Sequence, residues 1–158
     1  MTSRESVARA LAFFETCDDA VLLHQVLAEI APRARSLVSR LLRTGSEESL
    51  PGPTDIRAAR EAASQKDAVA TVRTVDDFSL LQVLARAVGQ RLEAIEIAAS
   101  AEFPLGARVV VPARPSFPPV GPYVEGTVEE TGLTLQVLLD DGETWEGPPS
   151  LARLEGQP

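Results

Sequence analysis

Apolar positions recur at helical intervals through the first hundred residues, and at strand-like intervals after Phe103. Thr2-x-x-Glu5 has the reciprocal spacing of a capping box and opens a first helix to about Glu15. Val7, Ala10, Leu11 and Phe14 share one face of it, while Phe13 points elsewhere. Asp18 and Asp19 offer acceptors to the start of the next helix, whose apolar stripe is Leu22, Leu23, Val26, Leu27 and Ile30. Pro32 lacks a backbone donor and crowds the preceding turn, so a break or kink is expected there, with Pro32 starting a new helix. That helix turns Ala34, Leu37, Val38, Leu41 and Leu42 inward and closes at Gly45. After an acidic loop over 46–53, Thr54 and Asp55 begin a weaker, Ala-rich surface helix through roughly Gln65. The longest helix is expected over 75–101, with Leu80, Leu81, Leu84, Val88, Leu92 and Ile95 in one stripe. Val83 and Ile97 fall off that stripe, as in a helix at the centre of a bundle or at a homo-oligomer interface.

An internal echo runs through this half. Thr16-x-Asp18-Asp19 followed by Leu22-Leu23 recurs as Thr74-x-Asp76-Asp77 followed by Leu80-Leu81. A one-residue slip between the later matches and dissimilar flanks favour shared helix-start chemistry over duplication.

Beyond Phe103 the punctuation is Pro and Gly. Val109 and Val111 alternate with other residues up to Pro112, and a Pro-rich loop follows to Pro122. Strands are expected over 123–131 and 133–139. Asp140-Asp141-Gly142 reads as a two-residue hairpin turn leading to a third strand over 143–146. Gly147-Pro148-Pro149 makes a corner before a brief final strand ending at Leu154. The run Tyr123-x-Glu125-Gly126-x-Val128, then Val137 to Glu143, then Leu151 to Leu154, resembles the SH3-like barrels of Tudor and KOW type. The resemblance covers residues 105–155 and implies a five-stranded barrel. The fold class is therefore α+β: an N-terminal α-helical bundle over 1–102, followed by a C-terminal five-stranded SH3-like β-barrel over 103–158.

Charge narrows the partner. Residues 103–158 carry three arginines against eight acids, while residues 1–102 carry twelve basic residues against fifteen acids. Nucleic-acid affinity comes mainly from cations that displace counterions, so an acidic barrel argues against it. Fourteen of the fifteen basic residues are Arg, which with abundant Ala matches the codon usage of GC-rich bacterial genomes. No apolar run is long enough to span a bilayer, and the N-terminus lacks a secretory layout. Cys17, the single cysteine, allows no intrachain disulfide. A cytoplasmic protein is the expectation.

Tudor-type barrels can hold a cation in an aromatic cage beside an acid. Phe117, Tyr123 and Trp145 are the available rings, with Asp140, Asp141 and Glu143 near them in sequence. A barrel this small also needs its aromatics as core. What stands on either reading is an aromatic and acidic rim suited to an Arg- or Lys-rich protein segment. In the helical half, Arg33, Arg35, Arg40 and Arg43 give residues 32–43 a charge of +4. Arg33, Arg40 and Arg43 share the polar side, as a phosphate or acidic-partner patch or as a solvated face. His24 has no second His or Cys cluster beside it. No phosphate loop or Gly-x-Ser-x-Gly elbow is present, and no metal or cofactor is expected. The expected function is non-catalytic: an adaptor or assembly protein binding a protein partner. A nucleic-acid regulator using the Arg33–Arg43 helix and a KOW-like barrel is the alternative.

Overall fold

A computed structural model describes residues 2–44 and 50–156; the side chains of residues 39–44 are not described. The chain divides into two compact units, Met1–Arg91 and Leu92–Pro158.

The first unit is helical. α1 (Ser3–Phe14) begins with the expected box: Thr2 Oγ1 accepts from the Glu5 N–H at 3.1 Å, and the Glu5 carboxylate accepts from the Thr2 N–H at 3.0 Å. Val7, Ala10, Leu11 and Phe14 are buried as expected, and Ala8 and Ala12 are buried too. Small side chains on its second face let α1 sit against both α3 (Pro53–Ala59) and α4 (Gln65–Thr74). α2 (Ala20–Thr44) starts where Asp19 accepts from the Leu22 N–H at 3.0 Å. It continues through Pro32 as one helix, so Pro32 does not start a new helix as expected. Proline removes one i→i−4 bond, to the carbonyl of Ala28. Ala28 and Pro32 both lie on the exposed side of the helix, where water can satisfy that carbonyl. The expected closure at Gly45 lies outside the described residues, as do the side chains of Leu41 and Leu42.

The expected single helix over 54–65 is also corrected. α3 ends at Ala59, a 3-10 turn follows over Arg60–Ala62, and α4 begins anew. Ser64 caps α4 through the Asp67 N–H at 3.2 Å. α3 buries none of its residues, in keeping with its expected surface position. α5 (Phe78–Ser100) is shorter than α2 and so is not the longest helix. Asp77 accepts from the Leu80 N–H at 3.0 Å, repeating the Asp19 cap. The sequence echo is thus realised as two equivalent helix starts. Leu80, Leu81, Leu84 and Val88 are fully buried. Arg91 donates to the Cys17 carbonyl at 2.7 Å and to the Asp18 carboxylate, tying down the turn between α1 and α2. Burial pushes the Cys17 thiol above its ordinary pKa.

The second unit joins the last turns of α5 to a five-stranded antiparallel sheet. Its strands are β1 (Arg108–Arg114), β2 (Val120–Glu130), β3 (Leu135–Leu139), β4 (Thr144–Gly147) and β5 (Arg153–Leu154), in the order β4-β3-β2-β1-β5. Val109, Val111, Val128, Leu135, Val137 and Trp145 point to one face and form its core with Phe103 and Leu151. β1 continues past Pro112 by way of an irregularity between Pro112 and Arg114. The Asp140–Gly142 connection has three residues and not the two expected. The Gly142 N–H returns to the Leu139 carbonyl at 2.9 Å, and Gly142 itself takes the positive φ, +93°. The sheet curls enough for Trp145 on β4 to donate its Nε1–H to the Pro112 carbonyl of β1 at 2.8 Å, although β3 and β2 lie between them in the sheet.

Glu96 is the unexpected member of this unit. It lies on the penultimate turn of α5, is only 4% exposed, and accepts from the Ser150 N–H at 2.8 Å and from the Ser150 hydroxyl. It thereby orients the 3-10 turn Pro149–Leu151 that leads into β5. Among the described residues, no helix is long and apolar enough to cross a membrane.

Candidate functional site

Strand alternation gives the sheet a second face, opposite the core. Register places Arg108, Thr127, Leu138 and Thr144 in one row across β1 to β4, and Arg153, Val110 and Glu125 in another across β5 to β2. Tyr123 stands opposite Pro112, one pleat beyond Glu125. Tyr123 is 50% exposed, Val120 52% and Leu138 40%.

Arg108 organises the charges. Its guanidinium meets Asp140 through two parallel bonds of 2.7 Å, Glu155 at 3.1 Å and Thr127 Oγ1 at 3.2 Å, with Glu125 at 3.7 Å. The Asp140 hydrogen bonds raise the Arg108 pKa, and the same bonds hold Asp140 below the usual carboxylate range. One cation among three acids leaves the cluster net negative. A carboxylate with a depressed folded pKa stabilises the fold above its unfolded pKa of about 4, and that contribution is lost as pH falls through the folded value. Wild-type protein should therefore lose more stability between pH 7 and pH 3 than Arg108→Gln, by a small margin because the groups are exposed. Urea midpoints read from Trp145 fluorescence test this; equal acid sensitivity of the two proteins would contradict it.

The three rings differ in burial. Trp145 is 3% exposed and belongs to the core, its only donor spent on Pro112. Phe117 packs partly buried against that core. Tyr123 is the most exposed of the three, and the Arg153 guanidinium carbon lies 4.7 Å from its ring centroid. Asp141 shapes the hairpin by accepting from the Glu143 N–H at 2.9 Å, and the Glu143 side chain is exposed beside it. The acidic rim therefore consists of Asp140, Asp141 and Glu143 together with Glu125 and Glu155, which sequence reasoning did not single out. Arg108 and Arg153 were missed as well. The available signal was parity: Arg108 and Arg153 each precede an inward residue, so both belong to the outer face.

In the helical unit, Arg33 donates to the Val72 and Val75 carbonyls, capping the end of α4. A phosphate would compete with those two acceptors. Arg35 is exposed, and the side chains of Arg40 and Arg43 lie outside the described residues. Arg73 grips Glu29 through bonds of 2.9 and 3.0 Å and lowers its pKa. On α5, Val83 is half-buried and Ile97 is 53% exposed. Among the described residues no three His, Cys, Asp or Glu side chains are grouped to hold a metal ion. The chain matches no protein-family model, no curated protein and no solved structure.

Proposed function

We propose that this is a non-catalytic cytoplasmic interaction protein. Its C-terminal unit serves as a small SH3-like barrel whose outer face receives a basic segment of a partner protein. The strand order supports the barrel: a four-strand meander followed by a short strand returning to β1. The Trp145–Pro112 bond supports it too, drawing β4 toward β1. One observation carries the binding role: a half-exposed Tyr123 on the sheet's outer face beside an acidic cluster, with a guanidinium resting on its ring. Aromatic contact supplies affinity, and the acids supply orientation and a faster encounter. The nucleic-acid alternative has less behind it, because Arg33 is committed to α4 and the sheet unit is acidic.

A fluorescein-labelled Arg-rich peptide should bind the full chain at low ionic strength, weaken as salt is raised, and lose about two- to fivefold in affinity with Tyr123→Ala. Fluorescence anisotropy reads all three effects. No binding at low salt, or unchanged binding by Tyr123→Ala, would overturn the proposal.

A further inference from the structure

Arg153 reaches the Tyr123 ring from β5, where it stands opposite Val110. Glu125 and Glu155 share its face, yet both turn to Arg108. Among the described residues the Arg153 guanidinium enters no ion pair or hydrogen bond, and the ring contact is the interaction it makes. Its guanidinium therefore keeps its N–H donors in water and rests on Tyr123 by one exposed face. Such a contact is weak and easily exchanged.

We infer that Arg153 is an internal stand-in for the partner's arginine: it occupies, within the chain, the place on Tyr123 that an incoming guanidinium takes. This rests on the reading of the outer face as a basic-segment site, and names the chemistry that site selects. A guanidinium is planar and weakly hydrated, so it can stack on a ring; an ammonium is a compact, strongly hydrated charge. A site that already accommodates an arginine on the ring thus favours arginine over lysine. Because Arg153 must leave before the partner's arginine can enter, the free protein binds more weakly than a form in which the ring is vacant.

The test compares wild type, Arg153→Gln and Arg114→Gln, each titrated with Arg-rich and length-matched Lys-rich peptides at one ionic strength. Arg114 is exposed at the end of the same sheet's β1, so its replacement removes an equal charge without vacating Tyr123. Arg153→Gln should bind the Arg-rich peptide about two- to fivefold more tightly than wild type, the fold-change equivalent to one exposed cation–π contact. The partner's arginine, desolvated on the ring in the complex, makes the stronger contact, so Tyr123→Ala still weakens binding. Arg114→Gln should gain less, and the Lys-rich peptide should respond less to Arg153→Gln. In parallel, the Arg153 side-chain proton resonances, displaced by the Tyr123 ring current, should return toward free-arginine values as the Arg-rich peptide saturates wild type. Equal gains from the two substitutions, or unmoved Arg153 resonances at saturation, would overturn the inference and leave the basic-segment site standing. Absence of binding to all three proteins would instead overturn that site.

Discussion

Trp145→Ala should cost the sheet unit about 3–5 kcal/mol, the range for emptying a large aromatic from a core. The ring is almost wholly buried among Val109, Val111, Val128, Leu135 and Val137. It also lies so close to Gly147 that a Cβ there would stand 2.7 Å from its edge, so the backbone of β4 is shaped around it. Its Nε1–H is the buried partner of the Pro112 carbonyl, and truncation leaves that carbonyl orphaned as well. Small domains have only about 5–15 kcal/mol to lose. Hydrogen exchange at Val109, Val111 and Val137 should therefore approach unprotected rates in the alanine variant, with Trp145→Phe intermediate. Protection within about 1 kcal/mol of wild type in Trp145→Ala would mean that the ring does not hold the sheet together.

Glu96→Ala is the second large effect. The substitution leaves the Ser150 N–H without its buried acceptor and releases the Ser150 hydroxyl. An orphaned buried donor costs about 1–3 kcal/mol, and alanine's better helix propensity recovers only a few tenths of that. Glu96→Gln keeps one carbonyl acceptor and should be milder. Trp145 is the chain's only tryptophan and lies in the sheet unit, so urea unfolding followed by its fluorescence reports this unit directly. Because β5 follows the turn that Glu96 orients, the Glu96→Ala variant should also expose the Val109–Leu154 pairing to faster exchange. An unchanged urea midpoint would show the carboxylate to be incidental.

Local chemistry was legible in the sequence wherever a few neighbouring residues decide the outcome. The Thr2–Glu5 box and the Asp19 and Asp77 caps each join groups three residues apart, so spacing alone reveals them. Strand alternation likewise located Val109 and Val111. Pro32 misled because the cost of a missing donor depends on which side of the helix its orphaned carbonyl faces, and that is a tertiary fact. The helix over Gln65–Thr74 was passed over because its hydrophobic stripe is thin, although Ser64-x-x-Asp67 announced its start. Glu96 could not be read at all. A glutamate among helical apolar residues becomes a buried acceptor only when Ser150, more than fifty residues later, is brought to it. The Tyr123–Arg153 contact is equally non-local, joining β2 to β5 across β1. Sequence therefore identified acids and aromatics as candidates, and only folding sorted Trp145 into the core and Tyr123 onto the surface.

The most direct measurement is amide chemical-shift mapping of the labelled full chain titrated with an unlabelled Arg-rich peptide at low ionic strength. Perturbations concentrated at Tyr123, Glu125, Thr127, Leu138 and Thr144, fading as salt is added, are expected of an outer-face site. Perturbations confined to the helical unit, or none at saturating peptide, would contradict it.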